Sequence, residues 1–238
     1  MRAAAQHPPA PGRLGLIWPV LLDALPASGA CVLDCGGGSG TFAVPLAQAG
    51  AHVTVVDVSA DALATLHRRA AEAGVAEQVV GRQGDVEGLA EVVDGSRFDL
   101  VLAHGVLGAV EALGPAFAAI AAAVRPGGWL SVVVANPVAA VLARAFAGDV
   151  AAALAELRAL DTDVHAAGPD TVAALCRANG LQVSAMHGIG VFSDLLPGRA
   201  LDAPGAREAL DRLEAAASGR PPLRNIAARV HLMARRPD

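Results

Sequence analysis

The sequence predicts an α/β chain: a doubly wound, seven-stranded, mainly parallel sheet with a last antiparallel strand. Three observations predict it. Short β-branched runs such as HVTVVD, residues 52–57, alternate with longer alanine-rich helical stretches, which implies a sheet covered by helices on both faces. Seven strand-like runs can be counted. The last two are separated by a single helix and loops, which suits a hairpin-like antiparallel final strand.

The elements follow in order. Residues 1–12 are rich in proline and alanine and read as a flexible N-terminal arm, with one domain over 13–238. Gly15 to Leu25 reads as a helix with Pro19 near its first turn, and Ala30 to Asp34 as a short buried strand. Gly40 to Gly50 is a helix ending at glycine, a common stop. His52 to Asp57 is a strand. Ser59 can cap the next helix, with Asp61 in its first turn, and that helix runs to Gly74. Val79 to Gln83 is the third strand, with a short helix near Glu87. Phe98 to Ala103 is the fourth strand and Pro115 to Val124 a helix. Arg125-Pro126-Gly127-Gly128 closes that helix ahead of a fifth strand, Trp129 to Val134. Residues 138–160 read as one helical region and Pro169 to Asn179 as another helix. Leu181 to Ile189 is the sixth strand, Ala206 to Ala217 a helix and Ala227 to Arg235 the last strand.

Composition narrows the function classes. The 238 residues suit one domain with a full core, and a 54% hydrophobic content excludes a disordered chain. Lysine and tyrosine are absent, so all 18 basic residues are arginine. A net charge of -5 gives no global basic surface for a nucleic-acid backbone. Cys31, Cys35 and Cys176 make no disulfide framework. Cys31 and Cys35 share one face of a strand, where a core role is expected rather than a zinc site. No cluster suggests a metal. The N-terminus lacks the apolar stretch of a secretory signal, and Trp129 to Ala143 is too short and too interrupted to span a membrane. A soluble, cytoplasmic protein is expected.

The loop VLDCGGGSG, residues 32–40, carries the chemistry. A glycine turn after a strand lets backbone approach a ligand, and the following helix start offers free N–H groups. Asp57 ends the second strand about twenty residues on, where an acid can accept both ribose hydroxyls. Gly38-Ser39-Gly40-Thr41-Phe42-Ala43 fits G-x-G-x-x-G/A and taken alone favours NAD. No Gly-Lys-Ser/Thr follows, so a P-loop is excluded. With neither tyrosine nor lysine, a short-chain dehydrogenase is excluded as well.

The loop also reads Asp34-x-Gly36-x-Gly38-x-Gly40, which resembles motif I of the class I S-adenosylmethionine-dependent methyltransferases. Gly84-Asp85-Val86 resembles their acid-bearing turn after the third strand, Phe98-Asp99-Leu100-Val101 their fourth-strand entry, and Val124 to Gly128 their step before the fifth strand. The resemblance implies a Rossmann-like methyltransferase fold and S-adenosyl-L-methionine as cofactor. It assigns cofactor contacts to Asp34, Gly36, Gly37, Gly38, Gly40, Asp57 with Val58, Gly84, Asp85, Val86 and His104. Gln83 falls near the adenine contact. The cofactor supplies a methyl on a sulfonium, and the protein supplies alignment.

A narrower resemblance, over about residues 12–237, is to the bacterial tRNA 5-carboxymethoxyuridine methyltransferases. His104 to Leu107, Asn136, Gly188 to Leu196 and Arg229 to Pro237 carry it. It implies methyl transfer to a carboxylate on the tRNA anticodon. That family has a cofactor-holding arginine near Gly15, for which Arg13 is the candidate here. Its lysine-rich stretch is replaced by Asp161 to His165. A carboxylate is ionised at neutral pH and needs no base, so an arginine such as Arg144, Arg199 or Arg224 would suffice. The alternative acceptor is a small metabolite, methylated on oxygen or nitrogen. His104 then has two roles open to it, lining the cofactor pocket or acting as base toward a hydroxyl. Two further readings are an NAD(P)-dependent oxidoreductase and a cofactor-binding protein without turnover. An Asn/Asp-Pro-Pro-aromatic motif after the fourth strand is missing and Cys176 does not follow proline, which excludes amino-group DNA methylation and carbon-5 pyrimidine methylation.

Overall fold

A computed structural model describes residues 13–27, 29–162, 167–196 and 201–238. The arm over 1–12 lies outside the described residues. Seven strands form one sheet: β1 (Cys31–Cys35), β2 (His52–Asp57), β3 (Val79–Gln83), β4 (Phe98–His104), β5 (Val124–Ala135), β6 (Gln182–Ile189) and β7 (Arg229–Arg235). Their order is β3-β2-β1-β4-β5-β7-β6. β7 slots between β5 and β6 and runs antiparallel to both; the pairs from β3 through to β5 are parallel.

Helices cover both faces. One core packs Trp18 and Leu21 of α1 (Trp18–Ala24), Leu46 of α2 (Ala43–Gln48) and Leu63 and Leu66 of α3 (Ala60–Glu72) against Val53, Val55, Leu100 and Leu102. The other packs Leu89 of α4 (Leu89–Val92), Phe117 and Ile120 of α5 (Leu113–Ala122) and Val172 and Cys176 of α8 (Pro169–Ala178) against Leu33, Val101, Val132 and Leu232. Such central strands read as unbroken apolar runs because both faces are buried.

The expected elements are present, with four differences. Gly15–Leu25 splits into a 3-10 turn over Arg13–Ile17 followed by α1. Residues 138–160 form two helices, α6 (Pro137–Phe146) and α7 (Val150–Thr162), broken where Gly148 turns left-handed at φ 81°. The side chain of Asp149 then accepts the Ala152 N–H and restarts the helix. Arg125 to Gly128 is a bulge inside β5 rather than a turn before it: the pairing jumps from Phe98–Val124 to Leu100–Trp129. Finally, Cys31 and Cys35 share a face, but only Cys35 is buried. Cys31 opens the strand at the rim of the sheet, so its expected core role is corrected.

The exit of β6 is clamped by an acid that the sequence did not single out. Glu214 sits on α9 (Ala206–Ser218) and is buried. Its carboxylate accepts the N–H groups of Val191, Phe192 and Ser193 at 2.8–2.9 Å. Ser218, one turn on, donates to the Gly188 carbonyl. Helix α10 (Pro221–Arg224) then leads into β7. Hydrogen bonds to a charged group stabilise more than neutral ones, and a buried N–H left unmade costs its desolvation. Glu214→Ala is therefore expected to lower unfolding stability by about 3 kcal/mol, read from urea denaturation of the full chain.

Candidate active site

The carboxyl ends of β1, β2, β3 and β4 meet on one edge of the sheet, where ligands of open α/β sheets lie. A pocket of about 300 Å³ opens there, lined by Gly36, Val56, Asp57, Val58, Gly84, Asp85, Val86, His104, Gly105, Val106, Ala109 and Val110. It gathers seven of the twelve residues expected from the sequence.

The remaining expected residues sit around it. Gly36 turns left-handed at φ 68°, and its N–H donates to the Val56 carbonyl at 2.7 Å. Asp34 is buried beneath Gly37: a Cβ on Gly37 would come within 2.5 Å of the Asp34 carboxyl. That is the reason for glycine there. Gly38 donates to Asp57 Oδ2 at 2.9 Å, and Ser59 donates to Asp57 Oδ1 at 2.9 Å. A carboxylate offers about four acceptor positions, so Asp57 retains capacity for a ligand. Gly40 packs against Leu66 and Val44, so its role is close packing of α3 on the turn. The backbone of Arg13 lies in the 3-10 turn; its side chain is outside the described residues. Gln83 reaches back to the Val58 carbonyl, 3.1 Å away. A glycine cradle, an acid at a strand end and an apolar slot fit an adenosine-bearing cofactor.

The wall after β4 includes Gly105 and Val106, within the His104 to Leu107 stretch noted in the sequence, and Ala109 and Val110, which the sequence did not single out. Glu87 Oε1 accepts the N–H groups of Glu111 and Ala112 at 3.0 and 3.1 Å, which ties the loop before α5 to the turn after β3. No periodicity marks a loop-to-loop bond of this kind.

His104 begins a second polar feature. Its Nε2 is 2.8 Å from Ser131 Oγ, and that hydroxyl is 2.9 Å from Nε2 of His231. His231 Nδ1 lies 3.1 Å from His187 Nδ1. Nδ1 of His104 is buried without a partner. Burial pushes the His104 imidazole down to about 3, and pushes His231 well below the usual histidine range, helped by the other two rings.

Among the described residues, no group of three or more His, Cys, Asp or Glu could hold a metal ion. No described helix is long and apolar enough to cross a membrane.

Comparison with known proteins settles the family. A family described as "Methyltransferase domain" matches residues 32–128. The ubiquinone biosynthesis O-methyltransferase of Azotobacter vinelandii is 33% identical over 168 residues, 68% of this chain and 68% of that protein. The chain belongs to the class I S-adenosylmethionine-dependent methyltransferases. The ubiquinone biosynthesis O-methyltransferase of Bordetella avium is 34% identical over 66% of this chain, and the chain spans 64% of that protein's length. The solved S-adenosylmethionine dependent methyltransferase from Mesorhizobium loti shares the fold, with a TM-score of 0.58 at 20% identity over 93% of this chain and 98% of the other. The cofactor is therefore S-adenosylmethionine, and the dinucleotide-like spacing of Gly38 to Ala43 does not signify NAD in this methyltransferase.

Asp34 sets a pH dependence of the enzyme's stability. Burial, and then the nearby Asp57, raise its carboxyl from 3.8 to about 7. The folded state then holds a proton that the unfolded chain releases above about pH 4. Stability from this group is present at low pH and is lost as pH rises to about 7. Asp34→Asn should remove that slope, worth roughly 1.4 kcal/mol per pH unit at most. Urea titrations of both proteins between about pH 4 and 7 compare the slopes, and parallel curves would contradict the assignment.

Proposed function

We propose that the enzyme transfers the methyl group to a hydroxyl oxygen of a small, largely apolar acceptor, with Asp57 holding the ribose of the cofactor and Asp34 facing its methionine end. The observation that carries the acceptor class is a cavity of about 480 Å³ beyond the carboxyl end of β5. Pro137, Val138, Leu160, Pro169, Met186 and Val230 give it apolar walls, and Glu156 and Asp170 give it two carboxylates. No basic side chain is among its described lining residues. A carboxylate or phosphate acceptor would meet repulsion there rather than a partner.

Other features support the same reading. Arg144, a candidate cation for a carboxylate acceptor, faces Glu156 at 3.8 Å. Arg224 borders His187 instead, and Arg199 lies outside the described residues. Helices α6 and α7, beside the cavity, expose Phe146, Val150 and Leu157, a surface that favours an apolar substrate. The curated relatives are named for O-methylation in ubiquinone biosynthesis. Asn136, part of the likeness to the tRNA enzymes, is engaged structurally: it donates to the Asn225 and Ala227 carbonyls and caps α6.

The chemistry required of the chain is modest. The methyl sulfonium brings the reactive carbon, and the protein aligns the acceptor, excludes water and takes the hydroxyl proton. His104, a lining residue of the pocket, is the candidate to take it.

Titration calorimetry is expected to show binding of S-adenosylhomocysteine and none of NADH. Asp57→Ala should weaken the former about ten- to a hundredfold, as loss of charge-assisted hydrogen bonds does. Incubation with labelled cofactor should then label apolar phenols and leave total tRNA unlabelled. Incorporation into tRNA alone would overturn the acceptor assignment.

A further inference from the structure

We propose that the cavity between α6 and the segment after β6 is a subsite that takes a hydrocarbon arm of the methyl acceptor. The inference rests on the reading of an apolar, hydroxyl-bearing acceptor above and deepens it by naming what else that molecule carries.

The cavity holds about 290 Å³. Helix α6 contributes Ala139, Ala140 and Ala143 to its wall, and Leu195, after β6, and Ile226, before β7, contribute further apolar surface. The larger apolar residues of α6, which are Val138, Val141, Leu142 and Phe146, are not among its described lining residues. The helix therefore presents only methyl groups here, and these short side chains leave the space open.

The polar groups at the strand ends are already engaged. Ala135, Gly190 and Ala228 line the cavity there. The Asn136 N–H donates to the Ala228 carbonyl at 3.0 Å, and the Ala228 N–H donates to the Gly190 carbonyl at 3.1 Å. The Asn136 side chain is spent on the Asn225 and Ala227 carbonyls and on the Val138 N–H. Asp194 is the one charged residue among the described lining residues, and it is exposed. A buried water needs about two to four polar partners, so the interior suits hydrocarbon better than water.

The walls are preformed. Glu214 fixes the segment directly before Asp194 and Leu195 through the N–H groups of Val191, Phe192 and Ser193. Asn136 fixes the loop that carries Ile226 and Ala228. A cavity held open by bonds of this kind costs a ligand little ordering.

Its position ties it to methyl transfer. β5 lies next to β4 in the sheet. Gly105, on the wall of the pocket at the ends of β1 to β4, donates its N–H to the Val133 carbonyl at 2.8 Å. Ala135, farther along β5, already lines the cavity, about 7 Å on at the rise of a strand. Asn136 borders both this cavity and the one of about 480 Å³. A ring seated against the end of β5 thus has the cofactor pocket on one side and this cavity within reach of a short arm. The space is about twice the roughly 150 Å³ that admits benzene, which fits an arm of about four to six carbons.

Binding and turnover test the subsite separately. Butylbenzene has no hydroxyl to methylate. Titrated into the methyl-labelled full chain with S-adenosylhomocysteine, it should shift the methyl NMR signals of Ala140, Ala143, Leu195 and Ile226 saturably. Ala140→Leu, which fills the space, should abolish the shift at the other three. With phenol and para-butylphenol as acceptors, kcat/KM should favour the butyl compound about thirtyfold or more, chiefly through KM, since each buried methylene strengthens binding about fourfold. Ala140→Leu or Ala143→Leu should bring that ratio towards one. If butylbenzene shifts none of these methyls, or the preference survives both fillings, the subsite is wrong, and methylation of the two phenols would still uphold the hydroxyl reading. If butylbenzene binds as expected and neither phenol is methylated, the hydroxyl reading falls and the apolar subsite stands.

Discussion

The hydrogen bond from the Gly38 amide to the Asp57 carboxylate is the contact on which the pocket at the carboxyl ends of β1 to β4 depends. It joins the turn after β1 to the end of β2, two elements 19 residues apart in sequence. The turn must pass directly over the Asp34 carboxyl, and only a residue without Cβ fits at Gly37. Bringing the backbone this close buries Asp34 near Asp57, which is electrostatically unfavourable and is relieved by holding Asp34 protonated. The parallel register of β1 between β2 and β4 makes the closeness possible, because it sets Cys35, Val56 and Ala103 level with one another.

The polar chain through the sheet is built on the same logic of satisfaction. A hydroxyl and three imidazoles in an apolar layer would be costly alone. Linked end to end, each supplies the partner that its neighbour needs. Ser131 and His231 are fully buried and satisfied within the chain, while Nδ1 of His104 is buried without a partner.

Loops around the site are held by acids acting on backbone amides. Glu87 collects the loop before α5, and Glu214 collects the segment after β6. Both make long-range bonds from helical or turn positions to irregular backbone. Such bonds confine loops without covering them, so the pocket wall stays open to a ligand while its geometry is fixed.

Much of this was legible before any coordinates. The alternation of apolar runs determined the seven strands, and the pairing of the glycine loop with Asp57 located the pocket, because both depend on local patterns: short β-branched apolar runs, and a turn that only glycine can make. Gly148 broke a helix that composition alone ran together, and Cys31 fell on the rim, since strand ends are set by neighbours and not by the strand's own residues. The tertiary structure alone decided which distant polar residues meet. Ser131, His187 and His231 look like isolated side chains in the sequence and become one chain only because β7 inserts between β5 and β6. Glu214 looks like one acid among many on α9 until folding places three free amides beside it. Contacts of this kind depend on register across the sheet, which sequence spacing does not encode, so the sequence determined the cofactor and the fold while the packing decided which distant polar groups meet and where the cavities open.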